Sequence, residues 1–435
     1  MLDTDKMLAA AQAQTGLSDF GDPSFREGLD VLVGAWNNEA KLTESGMGRI
    51  EASTVATLAQ RLQVEDYLKA NPALLDAPIE QPLFVFGLPR TGTTLAINLF
   101  AADPKARTYM RWEAFNQVPP AAPGALHSDP RCVAEQAKLD MSKQYVPQIA
   151  AMHWEDADSS TECQFAMSPS FCAQVYDSQY HVPSYTDWFL SADYSPAFRY
   201  HKRLMQLLQG NNPGRWTFKN PWHPLFLDAL TSVYPDARLV MTHRDPGDVL
   251  GSACSLIHAV RQMYSDQVDP LECGKVLMRT FDAMIERVAA HEAKHGADAI
   301  HHIDYKALTG DPLGSIRKAY AHFGEPLTPE AEAAMQATLD ANPQGKHGKH
   351  EYRLEDYGLS RGQVHEHFKD YIARYDIAVR AKILPVPGRI FLSADTRGNA
   401  ARSLHMHPAI RAVPVTSDSN APLPHRRSAL RAVQP

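Results

Sequence analysis

The stretch from Phe84 to Phe100, FVFGLPRTGTTLAINLF, constrains the fold more than any other part of the chain. An apolar run, Leu83–Gly87, predicts a buried strand, and the residues after Thr93 predict a helix. Between them Gly87 and Gly92 bracket four residues, the spacing of a phosphate-binding turn. Glycines permit the tight turn, and successive backbone N–H groups at the start of the helix face an anion. A Walker A loop carries lysine after its second glycine. Here that position is Thr93, and the nearest cation, Arg90, precedes the glycine. Arg90 and the hydroxyls of Thr91, Thr93 and Thr94 supply donors instead, each hydrogen bond to a charged group contributing about 1.5–3 kcal/mol.

The same alternation recurs downstream. Residues 215–221 (RWTFKNP), 237–246 (ARLVMTHRDP) and 299–308 (AIHHIDYKAL) read as strands separated by helical patterns. The expected fold is therefore α/β: a P-loop-like parallel sheet flanked by helices. Residues 1–80 read as a helical N-terminal cap, with Phe25, Leu29, Leu32, Val33 and Trp36 on one helical face. Residues 81–390 form the expected α/β domain. Within it, 131–210 is a mostly helical, aromatic-rich insertion over the acceptor side. Residues 391–435 have no periodicity and read as a disordered tail.

Composition excludes several classes. The chain has 435 residues, 44% of them hydrophobic, so a sizeable core is available. A net charge of −7 argues against a nucleic-acid partner, which needs a basic face. No secretory signal opens the chain, and no run approaches the length of a membrane span. The five cysteines are scattered without a CxxC pair, so a cytoplasmic, reducing setting is expected.

A second anchor lies in THRDPGDVLGSACSL. Arg244 ends a strand and Ser252 sits on the second turn of the next helix, where both can meet one phosphate at the sheet's carboxyl edge. Taken alone, Arg244 equally suits an ion pair with Asp245 or Asp248. The two anchors together resemble the paired loops of sulfotransferases that use 3′-phosphoadenylyl sulfate (PAPS). The likeness is to the bacterial branch related to tyrosylprotein sulfotransferases. It is carried by Pro89-Arg90-Thr91-Gly92-Thr93-Thr94, by Lys219 and Pro221, and by His243-Arg244-Asp245-Pro246, and it spans about residues 15–375.

The resemblance implies transfer of a sulfuryl group from PAPS to a hydroxyl acceptor, a small molecule or lipid. It implies that Pro89 through Thr94 hold the 5′-phosphosulfate and that Arg244 and Ser252 hold the 3′-phosphate. A late basic loop with Lys346 and Lys349 would close over that phosphate. A sulfuryl group carries less charge than a phosphoryl group, so no metal is expected, and the missing lysine ceases to matter. Arg90 and Lys219 would stabilise the leaving phosphate. Glu113 is the expected base, with an ion pair to Arg107 or Arg111 as its alternative reading, and His223 is second. The acidic cluster HWEDADSSTEC (His153 to Cys163) reads mainly as helix capping and surface charge, with a place at the acceptor site as the alternative.

One motif misleads. HEAKH (His291 to His295) matches the metalloprotease pattern, but it ends a helix before Gly296, and its histidines read as helix-end residues. The alternative functions are a kinase-like phosphotransferase and a non-catalytic nucleotide-binding relative.

Overall fold

The structure is a computed structural model that describes residues 1–145, 155–342 and 352–380. The expected tail and the loop with Lys346 and Lys349 lie outside these residues. Three helices open the chain: α1 (Thr4–Thr15), α2 (Phe25–Asn38) and α3 (Glu44–Ala70). All five predicted face residues of α2 are buried. Thr43 caps α3 by accepting from the Gly46 N–H, and the helix stops at Asn71, before Pro72. Arg61 of α3 is buried and donates to the Phe20, Asp22 and Pro169 carbonyls. Its guanidinium lies 4.5 Å from the Phe25 ring and 4.6 Å from the Tyr200 ring, so one side chain ties the opening helices to the segment between the strands.

Then come β1 (Leu83–Gly87), α4 (Thr93–Ala101), β2 (Ala106–Thr108), α5 (Arg111–Phe115) and α6 (Pro130–Tyr145). Short helices come next: α7 (Cys163–Met167), α8 (Gln174–Gln179) and α9 (Pro183–Ser191), then the longer α10 (Ser195–Gln209). The chain continues with β3 (Arg215–Lys219), α11 (Leu227–Val233), β4 (Arg238–His243), α12 (Pro246–Arg261) and α13 (Pro270–His295). After β5 (His301–Asp304) the described chain is helical: α14 (Tyr305–Gly310), α15 (Pro312–His322), α16 (Pro329–Ala341), α17 (Arg361–His367) and α18 (Lys369–Arg374).

The strands form one sheet in the order β2-β3-β1-β4-β5, and every pairing is parallel. Each of the four expected strands is present. β2 is an addition to them, because three residues are too few to show an alternating pattern. β1 is buried along its length, and its side chains alternate between two cores. Phe84 and Phe86 join the large core shared with α1–α3 and α7–α10. Leu83 and Val85 join a second core with α4, α15 and α16. A parallel sheet covered on both faces leaves its carboxyl edge as the open position for a ligand.

Candidate active site

The glycine turn leaves β1 at that carboxyl edge. A Cβ on Gly87 would lie 2.4 Å from the Thr242 carbonyl oxygen of β4, so only glycine fits there. Gly92 sits at φ 98° and Arg90 at φ 73°, left-handed conformations that turn the loop onto the start of α4. Thr91 departs from its expected role. Its hydroxyl donates to the Leu88 carbonyl and lies 2.6 Å from the Thr242 hydroxyl, so it ties the loop to β4 and faces inward.

Beyond the loop lies a cavity of about 370 Å³. Its polar lining includes Arg90, Gly92, Thr93, Thr94, Arg244 and Tyr305, with Pro89 beside them. Arg244 comes directly after β4. It donates to the Arg90 carbonyl at 3.1 Å, lies 3.6 Å from an Asp248 carboxylate oxygen and stacks 4.3 Å from the Tyr305 ring. Arg90 Nε donates to Ser252 Oγ at 3.2 Å, which joins the two sequence anchors in one place. Burial, and then the neighbouring Arg244 charge, lower the Arg90 pKa from its ordinary value. Two crowded cations beside a helix N-terminus make a site for a multiply charged anion.

Residues past the motif hold Arg244 in position. Asp245 caps α12 through the Gly247 N–H and accepts from Arg361 at 3.1 Å and His365 at 2.7 Å. Arg361 also donates to Asp248 at 2.8 Å. Burial alone would raise the Asp245 pKa. The Arg380 and Gly247 N–H groups and His365 outweigh it and lower that pKa.

The remaining lining is of a different kind. Ala253, Leu256, Ile257 and Val260 of α12 fall at helical spacing and present an apolar stripe. Phe165, Val175 and Trp222 add to it, and Glu162, Gln164, Ser178 and Gln179 supply its polar groups. Lys219, the last residue of β3, is buried beneath Glu162, with Nζ 2.9 Å from Oε1. Gln164 Nε2 donates to the other Glu162 oxygen.

Both expected bases stand elsewhere. Glu113 is fully buried, and neither it nor Arg107 lines the cavity. Arg107 donates to both Glu113 carboxylate oxygens, and the Met110 N–H adds a third bond at 3.1 Å. Glu113 therefore caps α5 and neutralises a buried arginine that lies 4.7 Å from the Trp216 ring. His223 is also fully buried, against Phe84 and Phe198, and neither ring nitrogen has a partner among the described residues. Burial, then His201, hold its pKa well below the usual histidine value, so it is a neutral core residue. The carboxylate that does line the cavity is Glu162. It lies in the acidic cluster that reads mainly as capping and surface charge, and its own sequence carries no sign of the lysine beneath it.

The HEAKH histidines do not line the cavity. His291 and His295 come within 4.8 Å of Asp228, and Lys294 competes for that carboxylate at 3.8 Å.

A parallel sheet with an arginine-bearing glycine turn, a second arginine at the next strand end and a lysine-backed carboxylate on the wall of a largely apolar cavity defines a group-transfer enzyme for an anionic donor. The chain belongs to the sulfotransferase family, whose sequence model matches residues 82–330, and it moves a sulfuryl group. Sulfotransferase STF9 of Mycobacterium avium is 34% identical, with 87% of this chain and 98% of that one covered and a TM-score of 0.82. STF1 of Mycobacterium tuberculosis is 33% identical over 85% and 99% of the two chains, with a TM-score of 0.76. The omega-hydroxy-beta-dihydromenaquinone-9 sulfotransferase Stf3 of Mycobacterium bovis is 22% identical over 68% of this chain and 75% of its own. No described helix is long and apolar enough to cross a membrane.

Proposed function

We propose that the donor is PAPS, that the acceptor is an alcohol on an apolar body, and that Glu162 takes the acceptor's proton. The observation that carries this reading is the placement of the Glu162–Lys219 pair. Glu162 lines the same cavity as Arg90 and the turn, while Glu113 and His223 do not.

The donor supplies an activated sulfuryl group and a phosphate leaving group. The N–H groups at the start of α4, with Thr93 and Thr94, hold the end that bears the sulfuryl group. Arg244 and Ser252 hold a second phosphate, and the crowding of Arg90 and Arg244 fits two phosphates better than one. Glu162 receives the acceptor proton as the new S–O bond forms. Arg90 stabilises charge on the departing phosphate oxygen, and Lys219, buried beneath Glu162 and outside the cavity lining, holds the Glu162 carboxylate in place. The apolar stripe of α12 with Phe165 and Trp222 favours an apolar alcohol, in keeping with the hydroxylated lipid named for the Mycobacterium bovis relative.

The test is Glu162→Gln. Turnover falls by about 10²–10⁴, the usual contribution of a positioned base. Calorimetric affinity for the desulfated product, 3′-phosphoadenosine 5′-phosphate, stays near wild type. Full turnover in this variant would exclude Glu162 as the base.

A further inference from the structure

We propose that the reaction cavity continues into a second chamber, which takes the distal part of a long-chain alcohol. This rests on reading the Glu162 cavity as the acceptor site. A separate space of about 130 Å³ lies against α3, and Phe165, Val175 and Gln179 line both it and the reaction cavity. Glu162 and Phe165 belong to the same short segment, and the Phe165 N–H donates to the Glu162 carbonyl at 3.0 Å. A hydroxyl placed at Glu162 therefore sets the chain behind it against Phe165, the wall that leads on into the second chamber.

The chamber runs from aromatic to polar. Trp36, Tyr176 and Tyr180 are buried in the core and form its dry side. Opposite them Ser53, Thr57 and Gln60 succeed one another at i, i+4 and i+7, one face of α3. Ser53 is exposed, so this end reaches solvent. Here Ser53 and Thr57 donate to the Ile50 and Ser53 carbonyls at 3.0 and 2.9 Å, which turns their hydroxyls back onto their own helix. Small residues keep the space open, and Gln60 bridges to the Phe115 carbonyl at its side. The occupant that suits this path is an alcohol at the end of a long apolar chain, its hydroxyl at Glu162 and its far end at the rim beside Ser53.

The experiment compares kcat/KM for 1-hexanol and 1-dodecanol with PAPS as donor, in wild type, Thr57→Trp and Ser53→Phe. Each newly buried methylene contributes roughly a threefold gain, so wild type prefers 1-dodecanol by well over about tenfold. The bulky residues fill the chamber and collapse that ratio toward one, mainly through KM. Ser53 is exposed and tolerates substitution, so Ser53→Phe decides the case should Thr57→Trp fold poorly. Equal use of the two alcohols by wild type, or an undiminished ratio in a folded variant, overturns the chamber. A length preference that persists while Glu162→Gln keeps full turnover leaves the chamber standing and removes only the base assignment.

Discussion

Lys219 and Glu162 stand 57 positions apart in the chain, yet their side chains meet at 2.9 Å with both buried. Their backbones are also joined by an isolated parallel bridge, so the contact is built into the sheet edge as well as into the ion pair. Breaking a buried pair on one side leaves an uncompensated charge, which costs about 3–5 kcal/mol. Lys219→Met is therefore expected to lose stability and turnover together. Lys219→Met with Glu162→Gln recovers most of the stability and none of the turnover. Denaturant melts and initial rates on the same preparations check this.

Glu113→Gln is expected to behave in the opposite way. It leaves Arg107 buried with weaker neutral partners, so stability falls by several kcal/mol, within the range of about 3–5 seen for broken buried pairs. Turnover per folded molecule persists, because the side chain does not reach the cavity. A chemical melt with active-site titration separates the two quantities. Complete loss of turnover in folded Glu113→Gln would return that residue to the chemistry.

Arg244→Ala removes a charge-assisted donor from the anion site. Affinity for 3′-phosphoadenosine 5′-phosphate is expected to fall by roughly 10- to 150-fold. Arg361→Ala removes one partner each from Asp245 and Asp248, which keep His365 and Arg244, so a smaller loss of affinity is expected. Calorimetry on both variants measures the difference. Unchanged binding in Arg244→Ala would exclude it from the nucleotide site.

Buried histidines set the acid limb of stability. Burial lowers the His201 pKa to about 3, and burial with a neighbouring histidine holds His223 and His243 well below the usual value. Their folded pKa values are depressed, so the unfolded chain binds protons first as pH falls. The stability they contribute is full above about 6.5 and is lost below it, each withheld proton adding a slope of about 1.4 kcal/mol per pH unit. His223→Phe removes one such proton and two unpartnered ring nitrogens. It is expected to flatten the stability profile between about pH 4 and 6.5 and to keep turnover. Urea melts across that range test the slope.

The parts that are legible in the sequence are the local ones. β1, the glycine turn and α4 are adjacent in the chain, and the apolar run, the two glycines and the helical pattern each reflect a constraint within a few residues. The strand ending at His243 and the helix with Ser252 are legible for the same reason. Arg90 and Arg244 can be paired because parallel strands place their carboxyl ends on one edge. β2 escapes notice because three residues show no period.

Glu113 shows the limit. Its spacing from Arg90 matches the expectation for a base, but spacing along the chain does not say which way a side chain points. Arg107, six residues earlier, captures the carboxylate and turns it into the core. The motif makes Thr91 a ligand donor, and Thr242 of the neighbouring strand holds it inward. Glu162 is the converse: an unremarkable acid in a charged stretch until β3 brings Lys219 under it.

By itself the sequence determined a parallel α/β sheet with an anion-binding turn and an arginine in place of the lysine, because those features arise from neighbours in the chain. Which carboxylate faces the cavity was decided only by the tertiary structure. Burial makes an unpaired charge costly, so each acid goes to the cation that packing brings to it. For Glu113 that cation is Arg107, away from the cavity. For Glu162 it is Lys219, which lies beneath it and leaves Glu162 on the cavity wall.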